Sequence, residues 1–210
     1  MKTPELLELS AKSHLSAQNR QVATQFSKAA LRYDKYALVQ KDVAEHAITL
    51  HLQATPSVVN CLEIGCGTGL HLSSISAPCE HYWGLDISGS MLSVAKQRGD
   101  LLNGDKGRPN IHFVNADAQH LPFADYSIDC VYSSMALQWL DSPTQAMSEV
   151  NRVLITGGNA TLAIMVQGSF YELDNAWSEL DLPSRVNRFY AADEWTCAAE
   201  SAGMKVSVEV

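Results

Sequence analysis

No stretch of this 210-residue chain approaches the roughly twenty consecutive apolar residues that a helical membrane span requires. The opening Met1-Lys2-Thr3-Pro4-Glu5 lacks the apolar core of a signal peptide, so a cytoplasmic protein is predicted. Basic residues are scarce: 15 Lys and Arg stand against 23 Asp and Glu, a formal net charge of −8. That balance argues against a broad nucleic-acid footprint, which needs a basic face, while leaving room for a local basic patch. The five cysteines (Cys61, Cys66, Cys79, Cys130, Cys197) are odd in number and never spaced as CxxC, which predicts reduced thiols and no metal site. The histidines are dispersed, and no Ser-His-Asp or Cys-His pattern stands out. There is no internal repeat, low-complexity tract or interdomain linker. The chain therefore reads as one soluble domain, with 46% hydrophobic residues, long enough to bury a full core.

What is there concentrates in Val58-Val59-Asn60-Cys61-Leu62-Glu63-Ile64-Gly65-Cys66-Gly67-Thr68-Gly69. An apolar, β-branched run ends in an acid and breaks into glycines at alternate positions. The pattern predicts a strand turning into a helix near Leu70, with backbone bare enough for a ligand to lie against it. Glu63 falls at the strand's carboxyl end, where open α/β sheets bind ligands. A second strand, His81-Tyr82-Trp83-Gly84-Leu85-Asp86, ends in an acid about twenty residues beyond the glycines, the spacing at which a carboxylate holds ribose hydroxyls. Asp86 also suits a cap for the helix predicted over Ser90–Arg98.

Upstream, residues 1–20 are polar and predict a loose helix or tail. Phe26, Ala29, Ala30, Tyr33, Tyr36 and Ala37 then recur at helical spacing, and a second helix is expected from Val39 to about Leu52. Tyr33 and Tyr36 suit either helix packing or a lid over the ligand. Downstream, Leu101–Asn110 reads as a loop, Ile111–Asn115 as a third strand and Cys130–Ser133 as a fourth. Asp141-Ser142-Pro143 starts a helix that should stop before Gly157-Gly158. A fifth strand is expected over Asn159–Val166, helices over 170–180 (with Trp177 and Leu180 packing) and Ala192–Ala202, and a sixth strand over Lys205–Val210. Strands alternating with helices predict an α/β fold with a mostly parallel sheet.

The block Glu63-x-Gly65-x-Gly67-x-Gly69, Asp86, Asp117-Ala118 and Leu121-Pro122-Phe123…Asp125-x-Ser127-x-Asp129 resembles the class I S-adenosylmethionine-dependent methyltransferases over roughly residues 55–165. The resemblance implies a Rossmann-like sandwich with helices on both faces of the sheet. It implies a 1–54 lid segment on a 55–210 cofactor domain, and S-adenosylmethionine as cofactor. Gly65, Gly67 and Gly69 would pass beneath its methionine part, with Glu63 near the amino group. Asp86 would hold the ribose, Ile87 and Met91 would flank the adenine, and Asp117 would accept from the adenine amino group beside Ala118. Ser133 and Ser134 would border the methyl donor, and Tyr36 would cover it. Such a sheet is usually closed by a seventh, antiparallel strand between the fifth and sixth, and no stretch here supplies one.

Three flanking stretches resemble a narrower branch, the malonyl-[acyl-carrier protein] O-methyltransferases. They are Phe26–Gln40, Ser134–Trp139 and Val166–Leu173, and Asn187-Arg188-Phe189 points the same way. The branch implies methylation of the free carboxylate of a malonyl thioester on a carrier protein or coenzyme A, the first step toward pimeloyl and biotin. A carboxylate is already ionised near neutral pH, so no general base is required. Arg188 is the first candidate to pair with it, followed by Arg185, Gln138, Trp139 and Tyr33. Lys28, Arg32, Lys35, Lys41 and Arg185 would receive an acidic carrier. Methyl transfer to another small molecule, or cofactor binding without catalysis, are the competing readings. A nucleic-acid methyltransferase is disfavoured by the charge and by the lack of an Asn-Pro-Pro-Tyr-type motif after the fourth strand.

Overall fold

A computed structural model describes residues 15–55, 57–102 and 109–209. The expectations for residues 1–14 and for the loop over 103–108 lie outside the described residues. Five parallel strands, β1 (Val58–Ile64), β2 (Cys79–Asp86), β3 (Asn110–Asn115), β4 (Ile128–Ser134) and β5 (Leu154–Ala163), form one sheet in the order β3-β2-β1-β4-β5. The chain runs outward from β1 through β2 to β3, then returns to place β4 on the other side of β1. The carboxyl ends of β1 and β4 thus flank the point where strand order reverses, the usual ligand crevice of an open α/β sheet.

Both faces of the sheet are covered, which is why its central strands read as nearly unbroken apolar runs. Alternation along β1 sends Leu62 and Ile64 to one face and Cys61 and Glu63 to the other. The first face packs with Leu85, Phe123 and Val131 under helices α6 (Pro143–Val153) and α8 (Ala192–Ser201). The second packs Cys61, Tyr82, Cys130 and Tyr132 against α3 (Leu38–Ala54) and the short α4 (Leu72–Ser76). Periodicity puts Val43, Ala44, Ala47, Ile48 and His51 within reach of one face of α3; all but the half-buried Val43 are buried.

α1 (Ala17–Ala29) starts earlier than the sequence pattern suggested, because Ser16 caps it by accepting from the Asn19 amide at 3.0 Å. It breaks at 30–32 before the single turn α2 (Tyr33–Tyr36). α5 (Gly89–Leu102) joins β2 to β3. α6 is capped by Ser142, with Pro143 in its first turn, as expected.

Three expectations are corrected. The fifth strand, expected over Asn159–Val166, runs instead over Leu154–Ala163, while α6 does stop before Gly157-Gly158. The helix gives way directly to extended Leu154, and the glycines form an irregularity inside β5, where Ile128 pairs with Leu154 but Cys130 with Asn159. Gly157 takes φ +79°, and a side chain on Gly158 would meet the Asp129 carbonyl at 2.9 Å. Leu180, just after α7 (Tyr171–Glu179), is exposed rather than packed. Lys205–Glu209 is not a strand. Alternating residues suit a half-buried strand, but a ladder partner makes one, and among the described residues none pairs with this segment. Among the described residues no helix is long and apolar enough to cross a membrane.

Candidate functional site

The turn after β1 is held open by backbone geometry. The amides of Gly65 and Cys66 both donate to the Leu85 carbonyl, at 2.7 and 3.0 Å, tying the loop to the end of β2. Gly65, Gly67 and Gly69 all have positive φ, +76°, +55° and +71°. A Cβ on Gly65 would lie 2.2 Å from that of Ala136, and one on Gly69 3.2 Å from that of Ala95. At Gly67 it would meet nothing within 4 Å. The outer glycines are therefore bare for packing, while the middle one fronts open space against which a ligand fits.

Three buried carboxylates, Glu63, Asp86 and Asp117, stand at or just beyond the carboxyl ends of β1, β2 and β3. Asp86 accepts from the Gly67 amide at 2.9 Å and from the Ser88 amide at 2.8 Å. Burial raises its pKa, and these two bonds oppose the shift. Each oxygen keeps lone pairs for a hydroxyl donor. Glu63 accepts from the phenol of Tyr82, on the neighbouring strand. Burial is the larger influence and pushes the Glu63 carboxyl up to about 7, with the Asp86 charge adding to it and the Tyr82 bond opposing it. Asp117 accepts from the Gln119 amide at 2.9 Å and from the Asn19 amide group of α1 at 2.8 Å. Ala118 and Met91 are buried beside these acids' strands and Ile87 is half-buried.

Beyond β4 the backbone turns sharply at Met135, φ +55°, bringing Ala136 against Gly65. Ser133 is fully buried, and its hydroxyl is engaged by the Ile64 carbonyl at 2.9 Å. The Ser134 hydroxyl and the Gln138 side-chain carbonyl are buried without a partner among the described residues. The unpaired Gln138 carbonyl, just beyond the turn that packs on Gly65, suits a polar ligand.

The N-terminal segment lies directly on this crevice. Asp34 accepts from the Thr68 hydroxyl at 2.6 Å and pairs with Arg98 of α5. Arg98 in turn donates to the Thr68 carbonyl at 2.9 Å. Ser27 meets Ser88 at 2.9 Å. Tyr33 is half-buried, and its pKa is raised by burial and then by the nearby charges of Asp86 and Asp34. Tyr36 instead faces solvent at 68% exposure, with the Lys35 ammonium 5.4 Å from its ring centre. Tyr36 lies three residues after Tyr33 at the end of this single turn, and Ala37, just beyond it, takes the buried place. The aromatic beside the site is therefore Tyr33, and Tyr36 is set apart from it.

A chain of aromatic rings connects the three flanking stretches. Tyr33 meets Phe26 edge-on at 6.0 Å, Phe26 meets Trp139 at 6.0 Å, Trp139 meets Phe189 at 5.9 Å, and Phe189 lies 6.3 Å from Phe170. Gln138 is buried and donates to the Met135 carbonyl at 2.8 Å. Arg188, next to Phe189, and Arg185 are exposed.

Sequence reasoning missed Asn19, Ser27, Asp34, Thr68, Tyr82 and Arg98, because each acts across the fold. Thr68 and Tyr82 stood inside stretches already singled out, the first within the glycine turn and the second within the second strand, four residues before Asp86. The Leu121–Asp129 block also gains a structural explanation. Arg152 donates to the Leu121 and Phe123 carbonyls at 2.9 and 2.7 Å and pairs with Asp125 and Glu149. Elsewhere the fold gathers His51, Cys61 and Cys130, whose ligand atoms lie within 4.8 Å of one another in the core. Cys61 and Cys130 are register partners on β1 and β4, a proximity that spacing along the chain does not reveal.

A methyltransferase-domain profile matches residues 62–162. The chain is similar to the malonyl-[acyl-carrier protein] O-methyltransferase of Marinomonas sp. (strain MWYL1), 37% identical over 193 residues, covering 91% of this chain and 66% of the relative. The protein of the same name from Hahella chejuensis is 36% identical over 186 residues, covering 88% and 63%. The chain thus spans about two thirds or less of these relatives' length. Among solved structures, the YcgJ protein of Bacillus subtilis is 26% identical, with a TM-score of 0.60 over 75% of this chain and 68% of that one. Geranyl diphosphate C-methyltransferase of Streptomyces coelicolor A3(2), solved with S-adenosyl-L-homocysteine, is 12% identical and shares the fold, with a TM-score of 0.67 over 90% and 80%.

Proposed function

We propose that the chain is a class I methyltransferase that transfers a methyl group from S-adenosylmethionine to the free carboxylate of a malonyl thioester, a reading supported by the methyltransferase-domain match over residues 62–162 and by its similarity to the malonyl-carrier enzymes. The cofactor, when bound, supplies an electrophilic methyl group. The residues at the crevice fit it: Gly67 leaves room for its chain, and Glu63 suits the ammonium. Asp86 suits the ribose diol, and Asp117 suits the adenine amino group. Met91 and Ile87 offer apolar contact for the ring. Residues 1–54 act as a lid on the 55–210 domain, with Tyr33, Asp34 and Asn19 as its inner contacts.

Malonate brings its own ionised nucleophile, so the protein's task is to position it and exclude water. Trp139, Phe26 and Phe189 form the dry wall. Gln138 presents a buried carbonyl oxygen at its base, while Arg188, exposed at its rim, turns onto the acceptor carboxylate. A buried carboxylate without such a partner would be costly to desolvate. The single observation that supports this acceptor is the aromatic chain. It unites the lid, the β4 turn and the segments after β5, which are the stretches that resemble the malonyl-carrier branch.

The test is transfer of labelled methyl to malonyl thioesters, compared with a panel of amines, phenols and other acids. Labelling confined to an acceptor other than malonate refutes the reading. Arg188→Ala should lower kcat/KM for the malonyl thioester by about a hundredfold, the loss of a charge-assisted contact. Cofactor affinity by calorimetry should stay within about twofold.

A further inference from the structure

The outer surface of the lid has a composition that folding alone does not explain. Lys28, Arg32, Lys35 and Lys41 are all exposed on a chain whose net charge is −8. Among them stand Leu31, Leu38 and Val39, exposed at 93%, 67% and 61%. The one acid within residues 28–41 is Asp34, and it is turned inward onto Thr68 and Arg98. Leu31 occupies the break between α1 and α2, and Leu38 and Val39 open α3. The patch is therefore both basic and apolar, on an otherwise acidic molecule. Apolar side chains grouped in water and rimmed by one sign of charge mark a docking surface.

We propose that this face of the lid, residues 28–41, docks an acidic carrier protein that delivers the malonyl thioester. The inference rests on the malonyl reading above and adds the place of recognition. Two observations favour this occupant over a second copy of the chain. Charge complementarity favours an acidic partner. The same short segment also carries, on its inner side, Tyr33 and Asp34, which touch the crevice. A partner seated on the outside thus stands one segment away from the aromatic wall that its cargo must reach. Steering by exposed cations acts mainly on association, so it should weaken with salt.

The test compares malonyl-carrier protein with malonyl-N-acetylcysteamine, a thioester that has neither carrier nor phosphates. In Lys28→Glu/Arg32→Glu and, separately, in Leu31→Ser, KM for the carrier substrate should rise about tenfold while the small thioester changes less than about twofold. Raising ionic strength should reproduce the first effect in the unaltered protein. Equal losses on both substrates, or no loss on either, overturn the docking surface. So does self-association abolished by Leu31→Ser with carrier KM unchanged, which would assign the patch to a second copy. Failure of the unaltered protein to methylate either thioester overturns the malonyl reading instead.

Discussion

The two halves of the crevice are built by different means. On the glycine-loop side, the ties that shape the loop are local or one strand away: Gly65 and Cys66 on the Leu85 carbonyl, Asp86 on Gly67, Glu63 on Tyr82. Backbone amides and buried carboxylates make this half rigid before any ligand arrives. On the acceptor side, ring edges from four separate segments meet, and its arginine lies exposed. The first half is fixed by backbone geometry. The second rests on edge-to-face contacts, which tolerate changes that a positive-φ glycine does not.

The sharpest way to break this contrast is within the glycine loop. Gly65→Ala places a methyl 2.2 Å from Ala136 in a left-handed conformation. It should destabilise by about 3 kcal/mol and lower Tm by about 10 °C. Gly67→Ala has no neighbour within 4 Å, so only the backbone strain of about 1 kcal/mol remains. Its cofactor affinity should nonetheless fall about a hundredfold, because the methyl occupies the ligand's space. Calorimetry together with thermal unfolding separates the two variants. Equal losses of stability would remove the distinction between packing and cradle.

On the acceptor side, Trp139→Ala removes the ring that joins Phe26 to Phe189. Acceptor kcat/KM should drop by about thirtyfold, with cofactor affinity nearly unchanged. A parallel loss of cofactor binding would show that the two halves are not independent.

The smallest effect concerns protons. The Glu63 carboxyl stands at about 7 in the folded protein against an ordinary 4.5. A raised folded value means that its contribution to stability is fully present below about pH 4.5 and fades as pH rises through 7. The empty protein should therefore lose some urea resistance between those values. An ammonium-bearing ligand prefers the carboxylate, so cofactor affinity should rise by about tenfold from pH 5.5 to 7.5 with a proton released. Glu63→Gln should flatten both profiles. A slope that survives the substitution assigns the proton elsewhere.

The cofactor half was legible because its signals are short-range: a glycine at a positive φ, an acid ending a strand, a fixed spacing between them. Asp86 was singled out by such rules, whereas the role of Asp117 came only from the family resemblance; both are buried. Tyr36 and the strand expected at Lys205–Val210 show the opposite case. Helical or alternating periodicity nominates a face, yet Tyr36 turned to solvent and Lys205–Glu209 found no ladder. Asn19 and Arg98 left no trace in the pattern, since a polar residue on a helix surface looks alike whether it meets water or a carboxylate.

By itself the sequence determined the α/β class, the glycine turn and the acids that follow it, because strand propensity, glycine's freedom at positive φ and a fixed offset act over a few residues. Only the tertiary structure decided which lid residues reach the loop, which tyrosine faces inward and how Phe26, Trp139 and Phe189 meet. Those contacts join positions far apart along the chain, from Asp34 with Thr68 to Phe26 with Trp139, where relative placement follows from how helices pack on the sheet and no local preference encodes it.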